Sequence, residues 1–73
     1  MDPDAAWQNL LDALEDADEC AADDAVAALL TWLDSGGFPP QTLANHKMSP
    51  RWNRAVAYAA CLATLADCHW RNR

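Results

Sequence analysis

The stretch SPRWNRAVAYAACLATLADCHW, residues 49–70, decides the fold. Ser49 suits a helix N-cap, because its oxygen can accept an orphan backbone N–H, and Pro50 suits the first helical position, where no N–H is needed. Alanine and leucine, which head the helix-propensity ranking, then dominate as far as Trp70 with no further Gly or Pro. The spacing predicts a helix over about 50–70. Its expected core stripe is Trp52, Val56, Ala59, Leu62, Ala63 and Ala66, flanked by Tyr58, Leu62, Leu65 and His69. Ala55, Ala57, Ala59, Ala60, Ala63 and Ala66 add little bulk, so a neighbouring axis can approach at the short end of the usual ~8–10 Å.

Outward from this segment, residues 36–49 form a connector of fourteen residues carrying Phe38, Leu43 and Met48, which are expected to pack on the core. Before it, Ala22, Val26, Leu29, Leu30 and Leu33 mark a helix over about 18–35, with Trp32 widening its apolar stripe. That helix stops at Ser35-Gly36-Gly37, where glycine can take the left-handed conformation common at helix ends. Phe38 is placed to fold back on the last turn, and Pro39-Pro40 prevent the helix from resuming. The first helix, about 3–16, opens with Asp2 as cap, Pro3 in the first turn and Asp4 at the positive end of the dipole. Trp7, Leu10, Leu11 and Leu14 mark its apolar face.

No Gly or Pro lies between Asp4 and Asp34, so one continuous helix competes with a hairpin. Such a helix would keep Trp7, Leu11, Leu14, Ala21, Ala25, Leu29 and Trp32 roughly on one side. Glu15 and Asp16 at a helix end would also oppose its dipole. Against this, the middle of the stretch offers only alanine as apolar surface, and Asp16 and Glu19 have capping-box spacing. A hairpin with its turn near residues 16–20 is the expectation.

Isoleucine is absent and Val plus Thr number five, whereas sheets favour β-branched residues. The chain therefore reads as all-α, a single domain over residues 1–73: a small three-helix bundle made of a helical hairpin and a longer Ala-rich third helix. Its 73 residues and 8.0 kDa leave no room for a second domain. The hydrophobic share of 52% includes sixteen alanines, so large apolar side chains are scarce. Chains below about 70–80 residues rarely draw more than ~3–5 kcal/mol from one core. Completion by oligomerisation or by a bound partner is expected.

A net charge of −6 and a pI near 4.4 disfavour direct binding to nucleic acid. No run of ~18 apolar residues suits a membrane. Four Trp, nine Leu and clear periodicity oppose disorder. Cys20, Cys61 and Cys68 are odd in number, which disfavours a closed disulfide framework. Met1-Asp2-Pro3-Asp4 lacks the basic and apolar regions of a secretory signal, so the expected location is cytoplasmic.

The charges are segregated. Residues 1–46 hold ten acids and no Lys or Arg; residues 47–73 hold Lys47, Arg51, Arg54, Arg71 and Arg73 against Asp67 alone. Asp12/Asp16, Glu15/Glu19 and Glu19/Asp23 are like pairs at i, i+4, each costing ~0.2–0.5 kcal/mol. Arg51 and Arg54 sit near a helix N-terminus, the wrong end for cations. Both oddities resolve if the basic third helix meets the acidic hairpin, within one subunit or between two. Trp70, beside Arg71, has the composition of an interface hot spot.

Metal and catalytic chemistry find no motif. Cys61 and Cys68 are two helical turns apart, about 10 Å, too far to share one zinc. The lone His46 and the carboxylates match no ligand pattern, and no Gly-rich phosphate loop or nucleophile motif occurs. No cofactor and no enzymatic activity are expected. The expected function is a non-catalytic protein–protein interaction or self-assembly module, contacting its partner through Trp52, Tyr58, Trp70, Arg51 and Arg54. The competing reading is an acidic mimic of nucleic acid, an inhibitor of phage type that presents Asp12, Glu15, Asp16, Glu19 and Asp23 to the basic groove of a nuclease or similar protein.

Overall fold

The computed structural model describes the backbone of residues 2–71 and the side chains of residues 2–67. It has three helices in the order α1 (Pro3–Glu15), α2 (Glu19–Asp34) and α3 (Pro50–Arg71), with no strand among the described residues. The all-α three-helix architecture expected from the sequence is what the chain adopts, and helix bounds agree to within two residues. α2 is central: α1 and α3 each pack against it.

The start of α1 is built as its residues dictate. Asp2 Oδ1 accepts from the backbone N–H groups of Asp4 (3.0 Å) and Ala5 (3.4 Å), with Pro3 in the first turn. The hairpin, not the continuous helix, is correct, but its turn uses other residues than the expected Asp16–Glu19 box. Ala17 takes φ 55°, the left-handed position, and the Asp18 N–H reaches back to Ala13 O (2.8 Å) while the Ala17 N–H reaches Leu14 O (3.3 Å). This pair of bonds satisfies two orphan carbonyls at the end of α1. Asp18 then caps α2, its Oδ1 accepting from the Ala21 N–H at 3.1 Å.

The end of α2 repeats the same device, with the residue type that suits it. Gly36 has φ 88°, the Gly36 N–H donates to Leu33 O and the Gly37 N–H to Trp32 O. Phe38 folds back as expected: its ring meets Trp32 edge-on at 6.0 Å, and the indole N–H of Trp32 donates to Phe38 O at 2.8 Å. The rest of the connector packs less than expected. Phe38 and Leu43 remain exposed, Met48 is half-buried, and Pro40 is the connector residue that is fully buried.

The core comprises Ala6, Trp7, Leu10 and Ala13 of α1, Ala22, Ala25, Val26, Leu29 and Leu33 of α2, and Ala57 and Cys61 of α3. Two sequence expectations fail here. Leu11 and Leu14 are exposed, because α1 packs on α2 and has no extensive contact with α3 to cover them. More consequentially, α3 is rotated: Asn53, Ala57, Cys61 and Thr64 face inward, while the expected stripe of Trp52, Ala59, Leu62, Ala63 and Ala66 is exposed and Val56 is half-buried.

Polar ties and small size explain the rotation. Asn53 Oδ1 accepts from the Thr42 N–H (3.2 Å) and hydroxyl (2.8 Å), and its amide donates to Met48 O (3.2 Å). Arg54 donates to Leu33 O and Gly37 O, and the Tyr58 hydroxyl donates to Asp34 Oδ1. Asn53 thus ties that side of α3 to the connector, and Arg54 and Tyr58 tie it to the end of α2. The small Ala57, Ala60, Cys61 and Thr64 continue the line and let the helices approach closely.

Candidate functional site

Two surfaces stand out. The first is the outer face of α3, opposite its contact with α2. Trp52, Ala59 and Ala66 recur seven apart, as do Ala55 with Leu62 and Val56 with Ala63, which places all of them on one side of a helix. Trp52 is 37% exposed and Leu62 51%, and Leu65 beside them is 41% exposed. No charged residue interrupts this face between Arg54 and Asp67. A solvated helix face ordinarily carries the polar residues; this one carries none.

The second is a groove of about 430 Å³ between α1 and α2. Its walls include Ala6, Ala13, Ala21, Ala25 and Ala28, and its acids are Asp12, Asp16, Asp18 and Asp24. Of the five acids expected to act together, the groove holds Asp12 and Asp16. Glu19 lines a separate small cavity with Leu14, Ala17 and Asp67, while Glu15 and Asp23 are exposed and line neither. Sequence spacing did not reveal Asp18 and Asp24 as partners of Asp12 and Asp16, because that grouping depends on how the hairpin closes.

The expected contact residues divide in the same way. Trp52 lies on the outer face of α3 and Arg51 is exposed at its start. Arg54 is turned inward: it is half-buried and its guanidinium serves the carbonyl end of α2, where a cation is favoured by the helix dipole. That resolves its position at the wrong end of its own helix without a second subunit. Tyr58 is half-buried, and its bond to Asp34 raises its hydroxyl above the ordinary tyrosine range, with the Asp34 charge adding to the rise and Arg54 opposing it. The Trp70 side chain lies outside the described residues.

Asn53, which joins α3 to both ends of the second half of the connector, was not singled out by its sequence context. Its signal is an amide between Trp52 and Arg54 in the first turn of the helix, ahead of the apolar run that starts at Ala55. Cys20 is exposed, whereas Cys61 is buried and its thiol is pushed up by that burial. Among the described residues no group of three or more His, Cys, Asp or Glu is placed to hold a metal ion, and no helix is long and apolar enough to cross a membrane.

Comparison with known proteins gives no family: no family model, no curated protein and no solved structure matches the chain.

Proposed function

We propose that the protein is a non-catalytic protein–protein interaction module that docks through the outer face of α3. The observation that carries this reading is the uncovered apolar face from Trp52 to Ala66, which includes large side chains as well as alanines. Burying apolar surface contributes ~25 cal/mol per Å², so a helix-length face of this kind is a source of affinity. The acidic hairpin behind it orients approach by turning like-charged surfaces away from itself and toward the uncharged face, with less effect on affinity. The chemistry of the face calls for no cofactor.

The test is a photo-activated cross-linking residue placed at Leu62, with Ala27, exposed on α2, as control. In cells, position 62 is expected to give a covalent protein adduct and position 27 none. The absence of any adduct at position 62 would end this reading.

The acid-walled groove favours a second reading, an acidic inhibitor that presents carboxylates in place of phosphates to a basic nucleic-acid-binding cleft. Asp12, Asp16, Asp18 and Asp24 would then be its main charges. That reading expects binding to a basic nuclease that weakens steeply with salt and is lost when these four become Asn. Binding unchanged by the four substitutions excludes it.

A further inference from the structure

We propose that the occupant of the outer α3 face is the same face of a second copy, with the two α3 helices antiparallel and their midpoint near Ala59. This rests on the docking reading above and names the partner.

Charge selects the second copy. All ten acids of residues 1–46 lie outside α3, and the described part of α3 carries Arg51, Arg54, Asp67 and Arg71. A basic partner would be drawn to the hairpin, leaving this uncharged face uncovered. Two copies with a net charge of −6 each repel through their hairpins, and the outer α3 face is where that repulsion is least. Pairing there puts two α3 layers between the acidic hairpins. Layers ~8–10 Å apart keep the hairpins beyond the ~8 Å screening length of physiological salt.

Shape and dipole select the antiparallel arrangement. About Ala59 as midpoint, Trp52 lies level with the partner's Ala66, Ala55 with the partner's Ala63, and Val56 with the partner's Leu62. The largest side chain thus meets one of the smallest. A parallel pair would instead set Trp52 on Trp52 and crowd two copies of Arg51 together. In the antiparallel pair each exposed Arg51 lies beside the carbonyl end of the partner's α3, where cations are favoured.

The area is also suitable. The chain exposes 4895 Å², against roughly 4,500 Å² for a compact protein of its mass. A standard interface hides about 800 Å² per partner, about a sixth of this surface. α3 is about 33 Å long at 1.5 Å per residue, close to the 37 Å long axis of the molecule. A seam along it therefore uses nearly the full length of the fold.

The experiment is sedimentation equilibrium of the full chain at low and at high salt, with variants chosen at exposed positions so that the helical fold survives. The expected mass is about twice 8.0 kDa at both salts, because an apolar seam is little screened. Leu62→Glu and Ala59→Arg are expected to give 8.0 kDa with unchanged circular dichroism. In a chain with Cys20→Ser and Cys68→Ser, Ala59→Cys is expected to cross-link to itself on mild oxidation and Ala66→Cys is not. Cross-linking as fast at 66 as at 59 overturns the antiparallel arrangement. A wild-type chain of 8.0 kDa at sub-millimolar concentration overturns the second copy altogether. In that event an adduct of position 62 with a different protein in cells still leaves the docking face standing, so the two failures are distinguishable.

Discussion

The indole of Trp32 occupies the space that a side chain at residue 37 would need: a Cβ built on Gly37 would lie 2.3 Å from Trp32 Cε2. The two glycines after α2 therefore do different jobs. Gly36 supplies the positive φ in open space, whereas Gly37 supplies room for the ring that hydrogen-bonds Phe38 O and meets the Phe38 ring.

Gly37→Ala forces Trp32 to move, with loss of its bond to Phe38 O. Overpacking of this kind costs about 1–3 kcal/mol. The expected urea midpoint is lower, and the loss is expected to shrink when Trp32 is first changed to Ala, because the two residues share the clash. An equal loss in both backgrounds would locate the cost in the backbone instead.

Ala17 offers the opposite case. Its φ of 55° is strained for a residue with a Cβ, by about 1–2 kcal/mol, and relaxed for glycine. Ala17→Gly loses part of this gain to the greater freedom of the unfolded chain, about 0.4–1 kcal/mol. Stabilisation of about 0.5–1 kcal/mol is expected in chemical denaturation. A less stable variant would refute the account of the turn as a left-handed helix stop.

The contrast between these two turns shows what could be read from residues alone. Gly36 announces the end of α2, so that boundary was legible. Ala17 announces nothing, and the hairpin had to be inferred from the poverty of the alanine-only middle; its cap was misplaced at Asp16 because Asp18 competes with the same chemistry. The existence and span of α3 were equally plain from Ser49-Pro50 and the alanine run. Its rotation was not. Periodicity weighs each side chain by its own hydrophobicity and so turned Trp52 and Leu62 inward, whereas Asn53, Arg54 and Tyr58 bind groups 11 to 24 residues away in sequence. The candidate site is the residue of that conflict: the most apolar side of α3 is the one the monomer's polar ties leave outside.

Asn53 is the most deeply buried of those ties. Buried at 7% exposure, it serves Thr42 through one oxygen and Met48 O through its amide. Asn53→Ala leaves the Thr42 N–H and Met48 O without their partner, at about 1–3 kcal/mol for each group that stays buried. A total loss of about 2–4 kcal/mol is expected, together with faster hydrogen exchange at the Thr42 amide. Thr42→Val removes the hydroxyl bond but keeps the amide bond, and is expected to cost about 1 kcal/mol. Similar losses for both variants would show that the connector is held by other contacts.

Tyr58 gives a pH test of the same docking geometry. Its hydroxyl is raised above 10.0, first because the neutral O–H donates to Asp34 and then because the Asp34 charge opposes a phenolate. The folded state therefore holds this proton more tightly than the unfolded chain. Whatever stability the bond contributes is fully present below the unfolded value of 10.0 and is lost as pH rises through the higher folded value. Tyr58 is the single tyrosine, so ultraviolet titration of tyrosinate reads it directly. A midpoint above 10.0 is expected in the native protein, falling toward 10.0 in Asp34→Asn, where neither the charge nor a carboxylate acceptor remains. An unchanged midpoint in that variant would mean that the start of α3 is not held against the end of α2 by this pair.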